Sequence, residues 1–134
     1  PHRRPSSVVP READDAAPDR SFPPSARILS SRDFTAALRE ATLRARHGPL
    51  SLAARENEGP TARLGLVVPK RQVRSAVRRN RIRRIVRESF RLHRADLPTL
   101  DVVVLLKDGR SAEVAADRLR ACLEQLWERC RRDR

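Results

Sequence analysis

Apolar positions recur along this chain with two alternating periods, and those periods predict its elements. Ser30 and Ser31 are candidate N-caps with Asp33 in the first turn, and Phe34, Ala37, Leu38 and Ala41 follow at helical spacing, giving a short amphipathic helix. Leu50 to Arg55 alternates as a strand does, and Arg63 to Val68 is a second, more apolar strand ended by Pro69. Between them Glu56 to Pro60, with Asn57, Gly59 and Pro60, has the composition of a turn. Ile82, Ile85, Val86, Ser89 and Phe90 then form one continuous stripe on a second helix that packs on a sheet.

After Pro98 the run Val102 to Leu106 is apolar at every position, as a strand covered on both faces requires. A turn at Asp108 and Gly109 leads to a last helix with Leu119, Cys122, Leu123, Leu126, Trp127 and Cys130 on one side, where Trp127 reads as a core anchor rather than a platform for bases. The order is helix, two or more strands, helix, strand, helix, without an internal repeat, which is an α+β sandwich or a small α/β fold. Residues 1–27 hold six of the ten prolines and few large apolar side chains, so they cannot bury enough surface to offset ordering entropy. They are expected to be a disordered extension, either a tail without function or an arm that orders on a ligand, with one domain over residues 28–134.

Charge narrows the function. The chain has 30 Lys plus Arg against 17 Asp plus Glu, and a pI near 11.6, far more basic than solubility needs. That balance points to a polyanion, nucleic acid first and an anionic membrane surface second. No apolar run approaches the roughly 18 residues that span a bilayer, so a soluble, cytoplasmic protein is expected. Nearly all the cations are arginine, Lys70 and Lys107 being the only lysines. Guanidinium suits bidentate phosphate contact, although codon bias in a GC-rich genome would favour arginine as well. Cys122 and Cys130, eight positions apart on one helix, would stand roughly 12 Å from each other, beyond disulfide reach. No Cys or His falls at metal-ligand spacing, and the cysteines read as free thiols in a reducing compartment.

The position of the charge is more telling than its amount. Lys70, Arg71, Arg74, Arg78, Arg79, Arg81, Arg83, Arg84, Arg87 and Arg91 lie within 22 residues that contain a single acid, Glu88. On a helical wheel Asn80, Arg84, Arg87 and Arg91 cluster opposite the apolar stripe, so one face is core and the other a comb for phosphates. Arg78 and Arg79 fall toward the apolar side, so the helix must begin beyond the sheet edge or bury two charges. Its protruding N-terminus adds free amides and the positive end of the helix dipole, and Asn80 can donate to or accept from a 2′-hydroxyl or base edge. Like charges three and four apart cost a few tenths of a kcal/mol per pair, which a merely solvated face has no reason to carry.

The string Ala76-Val77-Arg78-Arg79-Asn80-Arg81-Ile82-Arg83-Arg84-Ile85-Val86-Arg87-Glu88-Ser89-Phe90-Arg91 follows the strand Arg63-Leu64-Gly65-Leu66-Val67-Val68 and the pair Lys70-Arg71. In order and spacing it resembles the signature of the bacterial ribonuclease P protein component. The similarity extends through Asp33-Phe34, Leu97-Pro98, Asp101 to Leu106 and Leu123 to Trp127, over roughly residues 27 to 131. The resemblance implies an α-β sandwich of order α-β-β-β-α-β-α, with a left-handed β-α-β crossover contrary to the usual hand. It implies an RNA contact surface on Arg79, Asn80, Arg81, Arg83, Arg84 and Arg87, within the wider basic segment above. It further implies a cleft between the first helix and the sheet for the 5′ leader of precursor tRNA, at Phe34, Leu38, Leu50 and Leu52. Many relatives have aromatic residues where this chain has Leu38 and Leu52, which leaves Phe34, unless it is simply core, to stack on a leader base.

By the same resemblance the partners are the ribonuclease P catalytic RNA and precursor tRNA, without a membrane or an obligate protein partner. The chain would be an accessory subunit of a ribonucleoprotein endonuclease with no catalytic residue of its own, Mg2+ being expected in the RNA active site. The sequence agrees in offering no carboxylate pair at the spacing of a two-metal site. A ribosomal or RNA-chaperone protein is the alternative with the same electrostatics. A DNA-binding regulator is disfavoured, because beyond Asn80 the basic helix has hardly any base-reading side chain.

Overall fold

The computed structural model describes residues 24–28, 30–108 and 115–132. Its elements are α1 (Ser31–Arg39), β1 (Leu43–His47), β2 (Leu50–Glu56), β3 (Arg63–Val67), α2 (Ala76–His93), β4 (Leu100–Leu106) and α3 (Ala116–Arg132), with short 3-10 turns at Pro24–Ala26 and Arg94–Asp96. This is the expected α-β-β-β-α-β-α order. The four strands form one sheet in the order β1-β2-β4-β3. β1 and β4 each run antiparallel to β2, while β3 and β4 are parallel neighbours joined through α2.

The ends of the elements have local causes. Ser30, not Ser31, caps α1, its Oγ accepting the Asp33 amide at 3.0 Å. α1 stops at Arg39, so Ala41 lies beyond it. β1, which the apolar pattern alone does not single out, turns into β2 through Gly48-Pro49, with Gly48 at φ 55° in the left-handed region that a tight hairpin places at its first central residue. In the next turn Asn57 Oδ1 accepts the Gly59 amide at 2.7 Å.

The two long helices cover one face of the sheet and α1 covers the other. On the first face Leu43, Leu50, Leu52, Leu64, Leu66, Val102, Val104 and Leu106 pack with Ile82, Val86 and Phe90 of α2 and Leu123, Leu126 and Trp127 of α3. Phe90 and Trp127 meet edge-on at 5.6 Å, and the Trp127 indole donates to Ser89 Oγ at 2.8 Å, which satisfies both buried polar atoms. On the second face Ile28, Phe34, Ala37 and Val103 form a smaller cluster flanked by Leu38 and Val67. β4 is thus covered on both sides, as its sequence predicts.

One expectation changes. Ala26 is 1% exposed, Arg27 bridges to Leu64 in parallel, and the Ile28 amide donates to the Leu64 carbonyl at 3.1 Å. The packed domain therefore begins by Pro24 rather than at residue 28, and residues 1–23 of the proposed extension lie outside the described residues. Packing also dictates Gly65. A Cβ there would lie 2.7 Å from Phe34 Cε2, so the glycine is what admits the ring onto β3. Gly65→Ala is expected to destabilise the protein by about 1–3 kcal/mol through overpacking, measurable by urea denaturation. An unchanged midpoint would show that the ring can move aside.

Candidate nucleic-acid interface

The interface is built where β3 hands the chain to α2. After Val67, the Gln72 and Val73 amides donate to the Pro69 carbonyl at 3.0 and 3.1 Å, forming a compact turn pinned by buried Val73. This turn displays Lys70, Arg71 and Arg74 on its exposed side. Ser75 Oγ then accepts the Arg78 amide at 3.2 Å and starts α2, whose first turn has no acid to offset the dipole. Val77 is 78% exposed, so the helix start stands clear of the sheet as the wheel requires.

The predicted basic side chains fall into three groups. Lys70, Arg71, Arg74, Arg81 and Arg84 are exposed and make no side-chain hydrogen bond or ion pair with any described residue. Asn80, Arg78 and Arg91 are also exposed and Arg87 is half-buried; Arg91 is paired with Glu88 at 2.6 Å. Arg79 and Arg83 face inward. Arg79 Nη1 donates to the Val73 and Arg74 carbonyls, both at 2.9 Å, and fastens the preceding turn to the helix. Arg83 is 5% exposed and its Nη1 donates to Asn80 Oδ1 at 2.8 Å, so Arg83 does not stand on the surface where the resemblance put it. The Asn80 carbonyl is correspondingly engaged by its own helix.

The leader-cleft set is corrected by the sheet's alternation. Phe34 and Leu38 do lie on the α1 side, but Leu50 and Leu52 belong to the opposite core, with α2 and α3. The β2 residues that face α1 are Ser51, Ala53 and Arg55, because side chains alternate along a strand. Phe34 is itself 4% exposed, packed on Gly65 and Ile28.

Below α1 lies a charge network that the sequence reading missed. Asp101, fully buried on β4, accepts from Arg63 Nε and Nη2, both at 2.8 Å, and from Asn57 Nδ2 at 2.9 Å. The same Arg63 Nη2 reaches Asp33 of α1 at 3.1 Å. The Asp101 hydrogen bonds hold Arg63 more firmly protonated than an ordinary arginine, outweighing the opposing effect of burial, and Asp33 adds to this. Two carboxylates converge here, but on a guanidinium already bound to both. No group of three or more candidate metal ligands occurs among the described residues, and none of their helices is long and apolar enough to cross a membrane.

The chain is similar in sequence and fold to known proteins. The sequence model of the ribonuclease P family matches residues 22–131. The ribonuclease P protein component of Halorhodospira halophila is 42% identical over 113 residues, covering 84% of this chain and 92% of that one. Among solved structures, the RNase P protein of Thermotoga maritima superposes with a TM-score of 0.69 at 31% identity, over 77% of this chain and 98% of its own. That of Staphylococcus aureus gives a TM-score of 0.70 at 24% identity, over 77% of this chain and 93% of its own, a likeness of fold. With the family matched across nearly all of the described domain, the chain belongs to the ribonuclease P protein family.

Proposed function

We propose that this chain is the protein subunit of bacterial ribonuclease P, acting in the cytoplasm. It binds the catalytic RNA and the 5′ leader of precursor tRNA and promotes endonucleolytic removal of that leader, which leaves the mature tRNA 5′ end. The observation that carries the reading is the set of exposed cations at the start of α2. Lys70, Arg71, Arg74, Arg81 and Arg84 are without a partner among the described residues and surround a helix N-terminus with free amides. Such a surface suits folded RNA, in which phosphates crowd together. Arg78, Asn80, Arg87 and Arg91 extend it along the helix. Arg79 and Arg83 support it from beneath.

The phosphodiester chemistry belongs to the RNA, whose bound Mg2+ would supply water activation and charge stabilisation, while no residue of this chain takes part in it. The protein lowers phosphate repulsion as RNA and substrate approach, so its effect is greatest where magnesium is scarce. Adding the chain to ribonuclease P RNA and precursor tRNA at low magnesium should restore accurate cleavage. Tight RNA binding with no effect on cleavage would instead favour a ribosomal or chaperone role.

A further inference from the structure

Exposed charge without an ion-pair partner is sorted by sign along the strands of the sheet. Glu56 ends β2 opposite Leu100, the first residue of β4, and Glu58 follows in the turn. The Asn57 amide donates to the Thr99 carbonyl at 2.9 Å, which holds that turn beside the segment leading into β4. Asp96 closes the short turn after α2. In the same turn Arg94 reaches the Ala62 carbonyl and Thr61 Oγ1 at 3.2 and 2.7 Å, so Glu56, Glu58 and Asp96 gather at one end of the sheet. All three are exposed and form no ion pair with any described residue. Glu40, Glu88, Asp117, Glu124 and Glu128, the other exposed acids described, each meet an arginine or His93.

The opposite end has the opposite sign. β3 and β4 are parallel, so both finish there, and they deliver Lys70, Arg71 and Arg74 through the turn into α2 and Lys107 beyond β4. α2 runs back between the two ends, its positive N-terminus at the cationic one and its negative C-terminus beside Asp96. A carboxylate just past a helix C-terminus is disfavoured by that dipole, and Glu56 and Glu58 add like charge beside it. The arginines at the acidic end are turned inward, Arg63 on Asp101 and Asp33, Arg55 on Glu40, and Arg94 on Thr61 and the Ala62 and Ser25 carbonyls. Along β4 the two ends stand about 20 Å apart at roughly 3.3 Å per residue, more than twice the screening length of about 8 Å in physiological salt. The acids therefore repel what approaches them without weakening a phosphate held at the far end.

Resting on the assignment above that the start of α2 meets RNA, we infer that the end bearing Glu56, Glu58 and Asp96 is a face that keeps RNA off. A chain this basic would otherwise hold polyanions at more than one place and bridge separate RNA molecules. With one end repelling, it docks in a single sense and takes up one RNA at a time.

The test titrates the full chain with an excess of an RNA duplex of about 20 base pairs in 0.05 M salt, and sedimentation reads how many duplexes each protein carries. The unmodified protein should saturate at one. Glu56→Gln with Glu58→Gln and Asp96→Asn should tighten uptake of a second duplex by about tenfold or more, and 0.3 M salt should remove most of that gain. Glu56→Lys with Glu58→Lys and Asp96→Lys should hold the second duplex more tightly still. Asp117→Asn with Glu124→Gln and Glu128→Gln makes the same change in net charge among paired acids of α3, and should stay at one duplex. Two duplexes on the unmodified protein, a single duplex on both variants of the acidic end, or an equal gain from the α3 set would each overturn the inference. No duplex bound by the unmodified chain would overturn the RNA reading of α2 and this inference with it. Bound duplex without stimulation of ribonuclease P RNA would overturn the proposed function alone.

Discussion

Arg81→Ala combined with Arg84→Ala is expected to weaken association with ribonuclease P RNA by about 25- to 60-fold at 0.1 M salt, and to lower the slope of log K against log salt by about 1.4 to 1.8. Both side chains are exposed and make no hydrogen bond or ion pair with a described residue, so thermal stability should not fall. Removing two like charges from a crowded helix should if anything raise it by a few tenths of a kcal/mol. Arg79 is a poorer choice for this experiment. Its guanidinium fastens the Val73 and Arg74 carbonyls, and its loss would loosen the turn that displays Lys70 and Arg71. Filter binding across a salt series reads the effect directly. A slope equal to that of the unmodified protein would take Arg81 and Arg84 out of the interface.

Asp101→Ala should act in the opposite way, on stability and not on the catalytic RNA. The substitution removes a fully buried carboxylate from Arg63 and Asn57. Breaking a buried ion pair costs about 3–5 kcal/mol, and the lower end applies because Arg63 keeps some water and Asp33. For a domain of this size the melting temperature should drop by roughly 10–15 °C, read by thermal denaturation. A drop within two or three degrees would show that the network contributes little. The pH dependence follows from Arg63. A cation whose value is raised on folding contributes fully at pH below its unfolded value and loses that contribution only as pH climbs through the folded one. For an arginine this window is strongly alkaline, so Arg63 adds no pH dependence near neutrality.

Much of this fold is legible from periodicity. The stripes of α2 and α3 consist of large apolar residues with few alternatives, and β4 is apolar at every position because helices cover both its faces. Legibility fails where charge and apolarity share a short element. Leu-Arg-Ala-Arg-His in β1 is an alternating strand in which arginine supplies the outward positions, and two arginines in five residues conceal it. The cleft positions implied by the resemblance fall partly on the wrong face of the sheet. Leu50 and Leu52 are the conspicuous residues of β2, but conspicuous apolarity marks the larger core, and the β2 residues that face α1 are Ser51, Ala53 and Arg55. The resemblance likewise lists Arg83 among surface contacts, whereas its side chain is buried and bonded to Asn80 one turn earlier. Asp101 is invisible for a related reason, since its partners Arg63 and Asn57 lie 38 and 44 residues away.

The bridge from Arg27 to Leu64 has a practical consequence. β3 is an outer strand of the sheet, and the pairing of Arg27 and Ile28 with Leu64 occupies backbone groups that would otherwise invite another chain. Arg94 reinforces the seal, reaching the Ser25 carbonyl at 3.1 Å and Thr61 Oγ1 at 2.7 Å. The opposite rim carries Arg44 and Arg46, whose like charges repel a second copy. A polypeptide trimmed to start after Ile28 would therefore keep its basic helix yet tend to precipitate, a failure of colloidal behaviour rather than of recognition.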